Sequence, residues 1–258
     1  MGNAVTVGSM LRQWREHRRL SQLALACNAE ISTRHLSFLE TGRAQPSREM
    51  IVRLAEEMRV PLRQRNAMLM AGGYAQIYPE RSLNDPSLER VDRIVQITLA
   101  GHEPNPALAI DFRWNVMAMN RASRLLIEGV DPALLRPPVN AMRVALHPAG
   151  LAPHIRNFAA WRAGAVMRVR QQIEATADPQ LRELFEEIQS YPYEQSTTKA
   201  LWEPAMSLEM TTSEGDVRLM TTTMVFGSPQ DVTVSEIAIE CFFPVDQASA
   251  EVMKKLCS

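Results

Sequence analysis

Two short amphipathic stretches in close succession constrain this chain more than anything else in it. Leu20-Ser21-Gln22-Leu23-Ala24-Leu25-Ala26 is followed, after a brief break, by Ile31-Ser32-Thr33-Arg34-His35-Leu36-Ser37-Phe38-Leu39-Glu40. Apolar residues at helical spacing predict two helices joined by a tight turn, the second with a polar, cationic outer face. Ser21 and Ser32 stand where N-caps belong, and Thr41-Gly42 stops the second helix. A first helix over Val7 to Leu20 precedes the pair, with Leu11 and Trp14 inward. A fourth opens at Pro46-Ser47, with Met50, Ile51, Leu54, Ala55 and Met58 in phase, and a fifth runs from the Val60-Pro61 break to Ala71. The result is an all-α, five-helix helix-turn-helix domain over residues 1–73.

In such a pair the second helix lies in the major groove of double-stranded DNA, and its first turn meets base edges. Ser32, Thr33, Arg34, His35 and Ser37 are the candidate readers, with Arg34 able to give two hydrogen bonds to a guanine. Gln22 and Arg43 are candidates for backbone phosphates. Each of these also fits an ordinary solvated surface. Arg15 and Glu40 fall near the packed side, where a lone charge is costly, and are expected to form a structural ion pair. The charge distribution agrees. Residues 1–75 hold 11 arginines and 6 glutamates, a balance of +5, so the net −1 of the whole chain leaves −6 for the remainder. Part of that arginine excess suits any solvated helical surface.

At 258 residues, 46% hydrophobic and 22% charged, the chain has material for one or two domains, and its composition excludes a disordered or fibrous polymer. No apolar run reaches the length of a bilayer span, and no signal peptide is visible, so a cytoplasmic protein without a membrane partner is expected. Cys27, Cys241 and Cys257 show no CxxC or Cys/His spacing, and the five histidines are scattered. Buried structural thiols, no metal site and no cofactor are expected.

Residues 74–86, punctuated by Pro79 and Asn84-Asp85-Pro86, read as a linker, and 87–258 as a second domain. A helix is predicted over Ser87 to Ala100, then two extended segments, Ala107 to Phe112 and Asn115 to Met119. Helices follow at Asn120 to Leu126, Asn140 to Leu146, Pro153 to Ala175 and Pro179 to Ile188. The pattern then alternates over Pro204 to Thr211, Val217 to Phe226 and Val232 to Phe243, and a last helix spans Ala248 to Leu256. This predicts an α+β domain, an antiparallel sheet of about five strands with helices on one side.

The run from Met10 to Leu62 resembles the XRE type of helix-turn-helix, the fold of phage repressors. The match includes Ser21-Gln22, Leu25-Ala26, Ile31-Ser32, Glu40-x-Gly42 and Pro46-Ser47. It departs at Glu30, where that turn often has glycine and where a positive φ would strain another residue. From Arg34 onward the chain also resembles bacterial regulators with an MmyB-like ligand-binding domain. Arg34 to Glu40, Arg65-Asn66, His102-Glu103-Pro104, Trp114-Asn115, Asn120 and Leu146-His147-Pro148 carry that likeness. So do Phe226-Gly227-x-x-x-Asp231-Val232-Thr233, Glu236 and Glu240-x-Phe242-Phe243-Pro244. The resemblance implies a PAS-like sensory domain that binds a hydrophobic, fatty-acid-like small molecule and regulates transcription.

Trp114, Met117, Phe158, Trp161, Met206, Met220 and Met224 are candidates for the wall of an apolar pocket, and equally for ordinary core. Asn115, Asn120 and Asn157 are candidates for a ligand's polar head, or for helix caps. Glu236 and Glu240, four apart in a predicted strand, would share a face, but no nucleophile motif or phosphate loop accompanies them. No catalytic residues and no enzyme are expected. Two functions remain: a homodimeric regulator of operator DNA controlled by an effector, or a constitutive DNA-binding protein whose second domain serves only dimerisation or partner binding.

Overall fold

Hydroxyl side chains start four of the five N-terminal helices. Thr6, Ser21, Ser32 and Ser47 each accept a backbone N–H from the first turn of α1 (Val7–His17), α2 (Gln22–Asn28), α3 (Thr33–Glu40) and α4 (Arg48–Glu57). α5 (Leu62–Ala71) follows Pro61 instead, whose fixed φ suits a helix entry. The computed structural model describes residues 6–83, 85–192 and 207–258, and the chain divides into two units, one ending at Glu80 and one comprising most of the sequence from Arg81 onward.

Three helices of the first unit end alike. Arg19, Glu30 and Arg59 adopt φ of 55°, 54° and 49°, and the next residue's N–H returns to a carbonyl five back: Leu20 to Arg15, Ile31 to Ala26, Val60 to Ala55. Glu30 therefore holds the left-handed turn of the helix pair without glycine. The core inside these helices centres on Leu11, Trp14, Leu25, Leu36, Leu39, Ile51, Leu54 and Leu69. Gly8 lets α1 touch α3, since a Cβ there would lie 2.4 Å from the Leu39 carbonyl oxygen. Cys27, expected inside, is exposed, because Leu25, Ala26 and Ala29 take the inward face of α2. Residues 74–80, read from sequence as the start of a linker, fold back on α5. Asn66 holds them by donating to the Tyr78 carbonyl (2.7 Å) and accepting from Ile77 and Tyr78 N–H, while Tyr74 donates to Pro46.

The second unit is built on a five-stranded antiparallel sheet ordered β2-β1-β5-β4-β3. The strands are β1 (Ala107–Ile110), β2 (Val116–Met119), β3 (Ser207–Thr212), β4 (Gly215–Val225) and β5 (Ala238–Pro244). α7 (Arg121–Leu126), α8 (Ala141–Leu146), α9 (Phe158–Thr176) and α10 (Pro179–Ser190) connect β2 to the later strands.

Alternation splits β1, β2 and β5 between two cores, while β3 and β4 give their core residues to one. Ile110, Leu208, Met210, Val217 and Leu219 join the helical side with Trp161, Ala165 and Val169 of α9 and Met253 of α12 (Gln247–Leu256). Ala107, Ala109, Ile239 and Cys241 face the other way, against Val95 and Leu99 of α6 (Glu89–Gly101). Helices thus lie on both faces rather than one.

Two further expectations are corrected. The alternation at Val232 to Phe243 is not one strand: Val232–Glu236 forms α11, a short helix with Val232 and Val234 buried, and β5 starts only at Ala238. β-branched residues are a weak strand signal when burial favours another local shape. Glu236 therefore does not share a strand face with Glu240. The long helix begins at Phe158, not Pro153, because the backbone before it is taken by β3. Ile155 bridges Met210, and Arg156 N–H donates to the Glu209 carbonyl at 2.7 Å.

Candidate DNA interface and effector cavity

Helix α3, the second of the helix-turn-helix pair, is set by a buried ion pair. Arg15 clamps Glu40 with two bonds, Nε to Oε1 at 2.6 Å and Nη2 to Oε2 at 3.0 Å, and a third guanidinium N–H donates to the Leu20 carbonyl at 2.9 Å. The Glu40 side chain is 1% exposed. Hydrogen bonding to Glu40 outweighs burial and raises the Arg15 pKa above its ordinary value. The same pair ties α1 to the end of α3. Gln22 joins it: its amide nitrogen donates to Glu40 Oε2 at 2.8 Å, which leaves its second N–H and its carbonyl oxygen outside that bond.

The outward face differs in kind. Ser32, Arg34 and His35 are exposed, and Thr33 and Ser37 are half-buried. The Ser32 hydroxyl accepts from His35 N–H at 3.1 Å, so as a cap it has its proton left to donate. Arg34 and exposed Arg43 lie over the same ring, Phe38, at 5.4 and 5.9 Å from its centroid. Phe38, half-buried and outside the unit's core, is a platform that holds two cations side by side. Sequence reasoning passed over it as one more apolar residue of an amphipathic helix. The loop closes on it too, since Arg43 and Ala44 N–H both donate to the Phe38 carbonyl.

In the second unit, a cavity of about 120 Å³ lies between the helical side of the sheet and α9. Leu108, Val116, Met142, Ile155, Leu208 and Phe242 make much of its apolar wall. Alternating strand positions 108, 208, 210, 240 and 242 all reach it, a signal present in the sequence but unusable until strand pairing is known. Trp114 also lines it, from a backbone φ of 68° that a bulky residue seldom adopts. Asp111 fixes that turn by accepting from the N–H groups of Arg113 and Asn115 and from the Asn115 amide.

Trp114 and Trp161 are the predicted ligand contacts that the fold brings together on this wall. Phe158 packs beside the same core without lining the cavity. Met117 faces α6 on the opposite side of the sheet, and Met220 and Met224, 40% and 50% exposed, lie on the outer face of β4. Met206 lies outside the described residues. The three asparagines are spent on the fold. Asn115 binds Asp111, Asn157 pairs with the backbone of β3, and Asn120 caps α7 while accepting from Ala107 N–H.

Two charged residues that sequence reasoning did not place here complete the wall. Arg168 of α9 donates to both oxygens of Glu240 on β5, at 3.0 and 2.6 Å, and stands 4.7 Å from the Trp114 ring centroid. Thr223 of β4 donates to Glu240 Oε1 at 2.8 Å. Burial raises the nearby Cys241 thiol, which packs against Met224 as an inert group. Among the described residues, no cluster of three or more His, Cys, Asp or Glu is placed to hold a metal ion, and no helix is long and apolar enough to cross a membrane.

Comparison with known proteins agrees with this division. A helix-turn-helix domain model matches residues 6–68, and the MmyB-like transcription regulator ligand binding domain matches residues 91–256. No curated protein matches the chain. One solved structure, described as an RNA-binding Light-Oxygen-Voltage receptor, aligns with 97% of this chain at 9% identity and a TM-score of 0.29. The alignment spans only 61% of that protein, and a likeness so distant carries no argument. With a matched helix-turn-helix domain and a ligand-binding-domain family model that spans more than half of the chain, the chain is a DNA-binding helix-turn-helix transcription regulator belonging to the MmyB-like ligand-binding-domain family.

Proposed function

We propose that this protein is a sequence-specific, homodimeric, cytoplasmic regulator of operator DNA whose affinity is set by a hydrophobic small molecule in the second unit. The exposed first turn of α3 carries the DNA part of this reading. It presents Ser32, Thr33, Arg34 and His35 from a helix that the Arg15–Glu40 pair holds rigid. Arg34 reads a base, Arg43 positions the backbone, and Ser37 lies further along the same face. Gln22, partly committed to Glu40, supports the register through that residue. An exposed dimer contact fits the outer sheet face, where Met220 pairs in register with Phe243 and Met224 lies two pleat repeats along the same face of the strand.

The cavity supports the effector part. Its wall is apolar apart from a few groups, the usual make-up of a small-molecule site, and apolar cavities of ~150 Å³ take up small hydrophobic molecules. A fatty-acid-like chain is the starting candidate. Catalysis is not part of the proposal. The effector can shift operator affinity only if it binds two states of the protein unequally.

In vitro selection of bound DNA by the full-length protein tests the first part. With the selected operator, Arg34→Ala is expected to cost about 1–3 kcal/mol and to relax specificity at one base position. An equal loss on operator and random DNA would remove Arg34 as a reader. For the second part, operator affinity is measured with and without a proven cavity occupant. Unchanged affinity at full occupancy refutes control by that effector. Sedimentation of the full chain reports the dimer.

A further inference from the structure

The polar groups on the cavity wall specify the ligand's head more narrowly than its apolar surface does. Most are already satisfied by the protein. The Ser123 hydroxyl donates to the Ala107 carbonyl at 2.9 Å, and the Trp114 indole N–H donates to Gln172 Oε1. Arg168 and Glu240 close on each other through two bonds, so the one cation on the wall among the described residues is matched by a carboxylate whose side chain is 5% exposed. Thr223 further commits that carboxylate. The exception is Trp161. Its residue is 7% exposed and lines the cavity, yet its Nε1 is buried with no acceptor among the described residues.

A buried donor without a partner is unfavourable, and a ligand acceptor that reaches it restores the missing bond. A ligand carboxylate meets the opposite situation. It would have to shed its water, find Arg168 already neutralised, and stand as a second negative charge close to Glu240. Resting on the effector reading above, we infer that the cavity takes an uncharged amphiphile, an apolar chain bearing one neutral acceptor such as a ketone or ester carbonyl, which bonds Trp161 Nε1. A free carboxylate is selected against by Glu240, which acts through Arg168. The chain is fatty-acid-like; the head is not an ionised acid.

Two probes share one heptyl tail and differ in the head: 2-nonanone and octanoate. Both are titrated at neutral pH into the full-length protein labelled with nitrogen-15, following the indole N–H resonances and fitting affinities. The ketone is expected to bind at least about tenfold more tightly than octanoate and to move the Trp161 resonance. Trp161→Phe, which keeps the ring and removes the donor, should weaken the ketone about five- to tenfold and leave octanoate unchanged. Glu240→Gln frees the charge of Arg168, and the preference should shift about tenfold or more toward octanoate. Octanoate binding as tightly as the ketone, or a Trp161 resonance that the bound ketone does not move, overturns the inference while leaving an apolar effector site intact. Binding of neither probe defeats the effector reading itself. Should Glu240→Gln fail to fold, judged by the dispersion of the indole signals, the wild-type affinity ratio and the Trp161→Phe titration decide the question.

Discussion

Removing Glu40 while keeping Arg15 should cost far more than an ordinary surface ion pair. The Glu40 carboxylate accepts two bonds from Arg15 and one from Gln22, and its side chain is 1% exposed. In Glu40→Ala the Arg15 guanidinium keeps its bond to the Leu20 carbonyl and the half-exposed Glu16 carboxylate at 3.6 Å, but loses its buried counter-charge in a site it cannot leave easily. Breaking a buried pair from one side costs about 3–5 kcal/mol, a large share of the ~5–15 kcal/mol that holds a domain folded. Amide hydrogen exchange over α1 and α3 is the suitable assay, because it reads this unit inside the full chain. An opening free energy lowered by that amount speeds exchange by about two to three and a half decades. The control is Arg15→Met with Glu40→Leu, which fills the space without charge and should return stability to within about 1 kcal/mol of wild type. If Glu40→Ala costs under about 1 kcal/mol, or if the double variant is as unstable as the single, the reasoning fails and the pair is not the brace.

Three other perturbations follow from named contacts. Gly8→Ala should destabilise the N-terminal unit by about 1–3 kcal/mol in urea unfolding, since its Cβ meets the Leu39 carbonyl oxygen at 2.4 Å; a neutral result would show that α1 shifts freely. Glu30→Gly should raise stability by up to about 1 kcal/mol with operator affinity unchanged, because φ of 54° suits glycine; a loss would show that the Glu30 side chain contributes more than the strain costs. In the second unit, burial pushes the Asp178 carboxyl up, but Arg113 and the N–H groups of Leu181 and Gln180 outweigh it and hold the pKa below the usual range. A depressed folded pKa gives stability that is present above the unfolded value of about 4 and lost as pH falls below it. Asp178→Asn should therefore flatten the acid limb of thermal stability below about pH 4, and an unchanged limb would contradict the assignment.

Local signals made the N-terminal unit largely legible. Ser21 and Ser32 were readable as caps because a cap acts within three residues, and Leu25, Leu36 and Leu39 as core because helical period is a property of the sequence itself. The Arg15–Glu40 pair was readable for a related reason: both fall on the packed sides of their helices, where a lone charge is costly and a partner of opposite sign is called for. Phe38 was not, since its role depends on where Arg34 and Arg43 place their side chains in space.

In the second unit the sequence determined the strand segments and most helices, through alternation, turns and caps. It also misled at Val232–Glu236, where β-branched residues serve a helical turn. Only tertiary structure decided which residues face the cavity. Register sends Glu240 and Phe242 inward while Met220 and Met224, as apolar as any wall residue, point outward. Pairing of β1, β5 and β4 and the seating of α9 join Arg168 to Glu240 across 72 residues of sequence. No local pattern encodes such a contact, because hydrophobic period tells a strand to bury one face without saying against what.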